Sequence, residues 1–453
     1  MGNDAHSRTP AGWRWRLWQL GDRLLRRSAT SPYLWLMETQ YWPANRLQEL
    51  AETKLRDLIE HAAKHVPYYR ARCSGTALDE FPVLTRAGLQ QYAQDLLADD
   101  ADSVLRTLSS SGTTGERVTV KRDRAMQDMS TACAWRGDCW GTDAAPWDRQ
   151  LTLWGDPQSE SFDARLQNRI KPFYRNRFIF RGFMFNADRA RKCHRMLWRL
   201  RPSILTGYPT SMVAFARFAC ELGLKPPPIA KILPTAEQCY AEDAAELTEY
   251  FQAPVLERYG AHETGAIGHQ CEHGNWHLHC EHTYLEVLKD DGSISQNGAG
   301  ALLCTTISNY SMPLVRYEIG DYAELSDDKC PCGRGLPVFC KLEGRFGQFV
   351  FCPDGRWITS HGFLAPLRWF DVGGFRLVQE EPGRVVLMLA QARLNKDDLA
   401  RLRQAYERLH GGTLRVDFEF VSEIPPLPSG KRTRVLCKLP RPENVIISQG
   451  QGS

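Results

Sequence analysis

The sequence lacks any long uninterrupted run of apolar residues. A membrane-spanning helix needs about 20 consecutive apolar residues, and no segment of the 453-residue chain approaches that length. The first thirty residues contain Trp, Leu and several Arg, but no continuous apolar core of the kind that signal peptides have. We therefore expect a cytoplasmic protein that is neither secreted nor membrane-spanning.

A strong excess of charge of one sign is also missing. The formal net charge is +4 over 453 residues, which is too weak to indicate nucleic-acid binding. The sequence contains no internal repeat and no low-complexity segment. Hydrophobic residues make up 43% and charged residues 24% of the chain, as in ordinary globular proteins. This length predicts two to three domains with sizeable cores.

The segment WRWRLWQLGDRLLRRS at 13–28 combines aromatic residues with arginines. Two interpretations stay open. The segment can lie on a membrane surface as a basic amphipathic helix, or it can pack its aromatic side against the body of the protein. The second interpretation is favoured, because aromatic side chains are usually buried.

The fourteen cysteines favour free thiols and metal ligands over disulfides in a protein expected in the cytoplasm. Two segments group them, CEHGNWHLHC at 271–280 and CPCGRG at 330–335. Three thiolates and one imidazole form a normal set for a closed, structural zinc site. The predicted ligands are Cys271, His277, Cys330 and Cys332. The alternatives that the sequence leaves open are His273, His279 and Cys280.

Apolar periodicity predicts an α/β fold. Helical stretches alternate with short apolar runs between 124 and 260, which indicates a largely parallel sheet. The region 276–352 is rich in predicted strands separated by Gly and Asp turns. The last hundred residues read as a hairpin, a helix with an Asn cap and a terminal Gly, and a further strand, which is typical of a small α+β domain.

Residues 109–117, SSSGTTGER, lie between two predicted strands. Glycines let the backbone approach an anion closely, and hydroxyl and N–H groups can surround phosphate oxygens. The loop lacks the spacing and the lysine of a Walker motif. Taken alone it is a weak signal, because Ser- and Gly-rich turns are common.

Four later segments strengthen the phosphate interpretation. They are YGAHETG at 259–265, PLVRYEIGDY at 313–322, EGRFGQF at 343–349 and PLPSGKRTRV at 426–435. With the Ser-rich loop, in this order, they resemble the motifs of the adenylate-forming enzyme superfamily. The resemblance is strongest to its phenylacetate–coenzyme A ligase branch, which includes capsule-biosynthesis adenylating proteins. It covers the chain from about residue 45 to 436.

The resemblance implies a two-step reaction and a two-domain fold. A carboxylate attacks the α-phosphorus of ATP, and an acceptor then takes the acyl group from AMP. The implied fold is α/β: a large layered domain with mixed sheets and a small α+β C-terminal domain that rotates about a hinge. The implied boundaries are 1–45 for an N-terminal extension, 46–343 for the large domain, 344–350 for the hinge and 351–453 for the lid domain.

The resemblance also implies a role for individual residues. The pyrophosphate cradle would comprise Ser110, Ser111, Gly112, Thr113, Thr114 and Gly115. The residues around the adenine would be Ala236, Glu237 and Tyr259. Glu263 would hold Mg²⁺, for which a hard carboxylate is suited. Asp321 would accept the ribose hydroxyls, and Arg345 would contact the ribose or a phosphate. Lys431 would stabilise the charge that develops on the α-phosphate.

The chain departs from the family pattern at three places. The phosphate loop ends in Glu116 and Arg117 instead of lysine, and His262 replaces a small hydroxyl residue. Gly347 and Gln348 replace the acidic residues that usually follow the hinge arginine. This last change leaves adenylation plausible but weakens the expectation of coenzyme A as acceptor.

Two function classes therefore stay open. The favoured class is an AMP-forming ligase using ATP and Mg²⁺, with coenzyme A, an amine or a carrier thiol as acceptor. The alternative is a catalytically altered relative that binds a nucleotide or acts as a scaffold. Four aromatic residues hint at an aryl acid: Trp135, Trp154, Phe183 and Tyr208. The resemblance also suggests a homodimer, and it gives no reason to expect a nucleic-acid partner.

Overall fold

The computed structural model describes most of the chain between residues 15 and 447. The described residues are 15–16, 19–21, 29–101, 106–109, 118–154, 176–181, 185–289, 291–326, 328–345, 349–354, 356–359, 363, 366–367, 370, 372, 374–390, 392, 394–425, 435–439 and 446–447. At 109, 340–345, 349, 356–359 and 446–447 the description is limited to the backbone.

Nine helices are used below. They are α1 (Thr30–Thr39), α2 (Ala44–His65), α3 (Pro67–Arg70), α4 (Arg86–Gln91), α5 (Arg124–Asp138), α6 (Ala187–Leu200), α7 (Pro209–Glu221), α8 (Ala241–Phe251) and α9 (Lys396–His410). Side-chain caps explain where several of them begin. Thr85, Asp123 and Asn186 each accept a backbone N–H of the first turn of α4, α5 and α6, which satisfies a donor that has no partner within the helix.

The strands account for the rest of the regular structure. They are β1 (Arg106–Ser109), β2 (Thr119–Arg122), β3 (Gln150–Trp154), β4 (Arg177–Arg181), β5 (Ile204–Gly207), β6 (Lys231–Pro234), β7 (Arg258–Ala261), β8 (Gly265–Gln270), β9 (Trp276–Leu278), β10 (Thr283–Leu288), β11 (Ile294–Ser295), β12 (Gly298–Thr306), β13 (Tyr317–Ser326), β14 (Val338–Arg345), β15 (Phe349–Phe351), β16 (Arg356–Thr359), β17 (Gly374–Glu381), β18 (Arg384–Ala390), β19 (Arg415–Val421), β20 (Val435–Cys437) and β21 (Ile446–Ile447).

A parallel sheet forms the first layer, as the sequence predicted. Its strand order is β4-β3-β5-β6, and all three pairings are parallel. Strands β5 and β6 are buried at every position, which explains why they read as continuous apolar runs. Leu151 and Leu205 of the sheet share a core with Phe215 of α7 and Leu247 of α8.

The predicted β-rich region forms an eight-stranded sheet in the order β11-β10-β12-β13-β14-β9-β8-β7. Each pairing within it is antiparallel. This sheet brings the middle of β13 beside the end of β14, where Asp321 and Arg345 are register partners. Two segments of the family resemblance therefore meet on neighbouring strands.

The C-terminal region has its own core, in which Leu377, Leu387 and Leu402 are fully buried together. The predicted hairpin is β17–β18, the predicted helix is α9, and the predicted strand is β19, which pairs in parallel with β18. Asn395 caps α9, and Gly411 ends it in the left-handed conformation at φ 64°. These elements confirm the small α+β unit; its rotation about a hinge stays a prediction.

Residues 29–44 pack against the body of the protein. The ring of Tyr33 meets Trp135 of α5 edge-on at 6.1 Å, and Trp140 donates to the side chain of Gln40 at 2.9 Å. Farther upstream, the rings of Trp15 and Trp147 lie 5.1 Å apart, a contact that favours packing over membrane binding for this part of the N-terminal segment. Within the described part of the chain, no helix is both long and apolar enough to cross a membrane.

Candidate functional site

The Ser-rich loop joins two strands of a hairpin, as predicted. Strands β1 and β2 are antiparallel, and their last register pair is Ser109 with Thr119. The predicted cradle residues, together with Glu116 and Arg117, follow β1 in the sequence and lie outside the described residues, as do Lys431, Gly347 and Gln348. Their roles therefore stay predictions from the resemblance.

Tyr259 and Asp321 lie in direct contact. The hydroxyl of Tyr259 on β7 donates a hydrogen bond of 2.5 Å to Oδ2 of Asp321 on β13. Asp321 is buried, with 5% of its surface exposed, and Tyr259 is half-buried. The residues predicted to contact adenine and ribose thus meet at one point, although 62 positions separate them in sequence.

The loop that follows β6 lies at the carboxyl end of the parallel sheet. Ala236 takes a left-handed backbone conformation at φ 67°. Glu237 accepts a hydrogen bond of 2.7 Å from the hydroxyl of Thr210, and Arg258 donates to the hydroxyl of Thr235 at 3.0 Å. Ligands of open α/β sheets bind outside the carboxyl ends of the strands, so the geometry suits the predicted adenine loop.

Glu263 lies in the turn between β7 and β8 and is 6% exposed. Its Oε1 is 3.2 Å from Nη1 of Arg86, the first residue of α4. Sequence reasoning missed Arg86, because 177 positions separate the two residues and no local signal joins them. His262, the preceding residue, is exposed.

Arg122 supports this turn from β2. Its Nη2 donates to the carbonyl of His262 at 2.6 Å and to that of Ala261 at 3.3 Å. Burial, with a smaller contribution from the nearby Arg106, lowers the pKa of Arg122 to about 10. Arg122 is the register partner of Arg106, so the turn that carries Glu263 is held to the end of the hairpin that is farther from Ser109 and Thr119.

Two of the four aromatic residues proposed for substrate lie together at the end of the parallel sheet. The rings of Trp154 and Tyr208 stack with centroids 4.4 Å apart and an angle of 25°. They follow the strands β3 and β5, near Glu237. Trp135 instead packs on Tyr33 within a separate core, so its position does not fit a substrate role. Phe183 lies outside the described residues.

The four predicted zinc ligands lie together. One ligand atom from each of Cys271, His277, Cys330 and Cys332 lies within 4.8 Å of the others. The Sγ atoms of Cys271 and Cys330 are 3.6 Å apart, and Sγ of Cys332 is 3.3 Å from Nε2 of His277. Hydrogen bonding from Cys271, followed by that from His277, holds the pKa of the Cys332 thiol well below its usual range.

Further contacts orient these ligands. The backbone N–H of His273 donates to Sγ of Cys271 at 3.4 Å, and the side chain of Asn275 donates to Sγ of Cys330 at 3.2 Å. Nδ1 of His277 lies 3.3 Å from the carbonyl of Leu336. A backbone carbonyl at the second ring nitrogen is the usual arrangement for a metal-ligating histidine.

The alternative ligand His279 takes part in a separate buried network. Its Nδ1 lies 2.8 Å from Nη2 of Arg136, and its Nε2 lies 2.8 Å from Nδ1 of His269. Arg136 forms a fully buried pair with Glu281, with Nη1 and Oε1 2.7 Å apart. His269 continues the network to Asp138 at 3.2 Å. Cys280 is buried, and burial first, then Glu281, raises the pKa of its thiol.

Comparison with known proteins agrees with this arrangement. No family model matches the chain. Protein CapK of Staphylococcus aureus is 22% identical over 286 residues, which cover 59% of this chain and 61% of CapK. A phenylacetate-coenzyme A ligase of Thermus thermophilus is 23% identical over 337 residues, which cover 66% of this chain and 70% of the relative. Both relatives agree with the resemblance to the adenylate-forming superfamily that the sequence motifs indicated.

Solved structures show the same fold. A 2-hydroxyisobutyryl-CoA ligase in the postadenylation state, in complex with R3-HIB-AMP, matches with a TM-score of 0.66 at 17% identity. The match covers 88% of this chain and 91% of that chain. The structural match confirms the fold that the resemblance implied, and the two relatives confirm the predicted resemblance to the phenylacetate–coenzyme A ligase and CapK branch.

Proposed function

We propose that this chain is an ATP-dependent, AMP-forming ligase that activates a small carboxylic acid as an acyl-adenylate and passes the acyl group to a thiol or an amine. The hydrogen bond between Tyr259 and Asp321 is the observation that carries the proposal. It supports a single nucleotide site, because the resemblance assigns these two residues to neighbouring parts of ATP.

The proposed reaction depends on three charged side chains. An oxygen of the carboxylate forms a bond to the α-phosphorus while the bond to the pyrophosphate oxygen breaks. By the resemblance, Asp321 would accept hydrogen bonds from ribose hydroxyls. Glu263 would hold Mg²⁺, which supplies charge neutralisation to the phosphates, and its buried carboxylate fits a hard cation. By resemblance, Lys431 would stabilise the negative charge that grows on the α-phosphate.

The ring pair of Trp154 and Tyr208 supports a flat, aryl acid as substrate. Stacked rings at the carboxyl end of a parallel sheet give an apolar surface where ligands of such sheets bind. Offset stacking adds about 0.5–1.5 kcal/mol per aromatic pair beyond area burial. We therefore expect aryl acids to react with a higher kcat/KM than alkyl acids of the same size.

ATP–pyrophosphate exchange across a panel of aryl and short alkyl acids tests the proposal. Exchange with one class of acid is expected in the unmodified chain. Lys431→Ala and Glu263→Gln are expected to lower the rate by about 100-fold or more, as losing one positioned charge does elsewhere. Glu246→Gln is the matched control, because Glu246 pairs with Arg217 at the surface and should leave the rate unchanged.

Two outcomes would contradict the ligase. ATP binding without exchange for any acid would favour the alternative of a nucleotide-binding or scaffold protein. Equal exchange in Lys431→Ala and the unmodified chain would show that Lys431 does not have the catalytic role assigned to it. Both outcomes can be read only if ATP binding is measured on the same preparations.

The acceptor is a separate question within the proposal. The names of the phenylacetate-coenzyme A ligase and the 2-hydroxyisobutyryl-CoA ligase support coenzyme A, whereas Gly347 and Gln348 at the predicted hinge favour an amine or a carrier thiol. Release of AMP from the preformed acyl-adenylate, with coenzyme A or an amine added, distinguishes them. Faster release with coenzyme A would show that the usual acidic hinge residues are dispensable here.

The cysteine–histidine cluster supports structural zinc as a further part of the proposal. A tetrahedral ion with bonds of about 2.3 Å to sulfur and about 2.0 Å to nitrogen separates its ligands by about 3.8 Å for S–S and about 3.5 Å for S–N. The observed separations of 3.6 and 3.3 Å fit such an ion. Four protein ligands leave no open position, so the ion would join two loops and take no part in the reaction.

Metal content tests the zinc. The purified chain is expected to hold one equivalent of zinc at this cluster, and Cys332→Ser is expected to lose it and to unfold at a lower temperature. Cys220→Ser is the control, because Cys220 is exposed and outside the cluster. Equal zinc content in Cys332→Ser and the unmodified chain would show that these thiols hold no ion.

A further inference from the structure

A second group of metal-ligating side chains lies on the surface, away from the cysteines. His61 and His65 lie one turn apart near the end of α2, and Asp100 faces both. Nε2 of His61 is 3.7 Å from Oδ1 of Asp100, and Nδ1 of His65 is 3.5 Å from Oδ2. One ligand atom from each residue lies within 4.8 Å of the other two.

We propose that His61, His65 and Asp100 form a binding site for a divalent transition ion of the Zn²⁺ class. Bonds of about 2.0–2.1 Å to nitrogen and oxygen separate the ligands of a tetrahedral ion by about 3.3–3.4 Å. The observed 3.5 and 3.7 Å require shifts of only a few tenths of an ångström. Two imidazoles favour Zn²⁺, Ni²⁺ or Cu²⁺ over Mg²⁺ or Ca²⁺, which prefer oxygen ligands.

The backbone holds the three ligands in place before any ion binds. The two histidines share one face of a helix, because positions four apart are neighbours on it. The N–H of Asp99 donates to the carbonyl of His65 at 2.8 Å, and the N–H of Ala98 donates to that of Ser311 at 3.0 Å. The turn that carries Asp100 is therefore fixed against the end of α2, and an ion would meet a largely preformed site.

The ring of His61 is also oriented by its surroundings. It stacks on the His65 ring at a centroid distance of 4.8 Å and meets the Tyr310 ring edge-on at 5.1 Å. Its Nε2 lies 3.0 Å from the carbonyl of Tyr310. The same Nε2 faces Asp100, so an ion bound there takes the place of the hydrogen bond to Tyr310, and Nδ1 then carries the ring proton.

The ligand count distinguishes this site from the cysteine–histidine cluster. Three protein ligands leave at least one position for water, and the side chains are 17%, 31% and 50% exposed. The ion should therefore exchange readily with solvent and bind more weakly than at the closed set of four. The site would not contain thiolate, which gives it a separate spectroscopic signature.

Equilibrium dialysis with Zn²⁺ tests the proposal on the full chain, after stripping with a chelator under reducing conditions. The unmodified chain is expected to bind one equivalent more than His61→Ala/His65→Ala. Replacing zinc by Co²⁺ should give a difference spectrum between the two proteins without thiolate-to-cobalt charge transfer. His194→Ala is the matched control: His194 lies on α6 and bonds to the carbonyl of Lys225.

The following results decide whether the ion binds at this site or elsewhere in the protein. Equal Zn²⁺ binding by the double variant and the unmodified chain would overturn the proposal. Thermal unfolding in the presence of chelator confirms that the variants fold, and zinc should raise the melting temperature more in the unmodified chain than in the double variant. Cys332→Ser should keep the weaker equivalent, so failure of the cysteine site would not mask the result.

Discussion

Nη1 of Arg86 lies 3.2 Å from Oε1 of Glu263, and the two side chains are 37% and 7% exposed. A carboxylate predicted to hold Mg²⁺ is thus paired with a guanidinium from a helix that is distant in sequence. The ion pair offsets part of the cost of burying Glu263, because an unpaired buried charge is strongly unfavourable. Any cation that approaches Glu263 must compete with Arg86.

Arg86→Gln is therefore expected to lower the Mg²⁺ concentration that gives half-maximal pyrophosphate exchange. A partly exposed ion pair is worth up to about 1 kcal/mol, which corresponds to about a fivefold change. A magnesium titration at saturating ATP measures it. Arg217→Gln, which breaks the exposed pair with Glu246, should give the unmodified value. An unchanged or increased requirement in Arg86→Gln would show that Arg86 does not compete with the ion.

Tyr259→Phe is expected to raise the KM for ATP about tenfold, with kcat changed by less than about twofold. The variant removes the hydroxyl that donates to Asp321, and a hydrogen bond to a charged group contributes about 1.5–3 kcal/mol. Steady-state exchange at varied ATP measures both constants. Tyr250→Phe is the control, because its hydroxyl donates to the carbonyl of Leu224. A fall in kcat alone would place Tyr259 outside nucleotide binding.

Arg136→Met and Glu281→Leu are each expected to lower the free energy of unfolding by about 3–5 kcal/mol, because each leaves the other charge buried without its partner. The double variant should lose less than the sum of the two. Urea unfolding of the four proteins measures the coupling. Arg217→Ala, at an exposed pair, should cost at most about 1 kcal/mol. Additive losses would contradict a direct interaction at 2.7 Å.

Acid should destabilise the protein through His269. Burial lowers the pKa of His269 from 6.5 to about 4, so the unfolded chain binds a proton between these values that the folded chain does not. Stability contributed by this group is present above pH 6.5 and is lost as the pH falls to about 4. The stability lost over this pH range is about 3 kcal/mol. His269→Gln should show a shallower fall of the unfolding free energy over this range.

Glu257 changes the stability of the protein with pH in the opposite direction, and it does so equally in the unmodified chain and in His269→Gln. Burial raises its pKa from 4.5 to about 7, so its contribution is lost as the pH rises between these values. Because Glu257 is present in both proteins, the difference between their pH profiles isolates His269. Parallel profiles for His269→Gln and the unmodified chain would contradict the assignment.

Local signals predicted the elements well. Asn395 and Gly411 mark the ends of α9 because each supplies a side chain or a backbone conformation that a helix end requires. The alternation of apolar runs and helices predicted the parallel sheet, because its strands β5 and β6 are buried at every position and so read as apolar runs. Residue type and grouping also predicted that Cys330 and Cys332 lie beside Cys271 and His277, as the structure shows.

Long-range pairings could not be predicted. Nothing in the sequence near Arg86 indicates Glu263, and Arg136 in α5 gives no sign that it will lie fully buried against Glu281. The spacing of His61 and His65 is visible in the sequence, but Asp100 joins them only through the turn that the fold places beside α2. These contacts depend on tertiary packing, which propensity and periodicity do not encode.

Helix α1 has a consequence for the timing of folding. The hydroxyl of Thr39 donates to Oε1 of Glu281 at 2.6 Å, across 242 positions. At about 5–20 residues per second, a ribosome makes Glu281 on the order of ten seconds or more after Thr39. Tyr33 and Leu36 of α1 gain their core partners Ala132, Cys133 and Trp135 earlier, so during synthesis α1 can pack on α5 before Thr39 can reach Glu281.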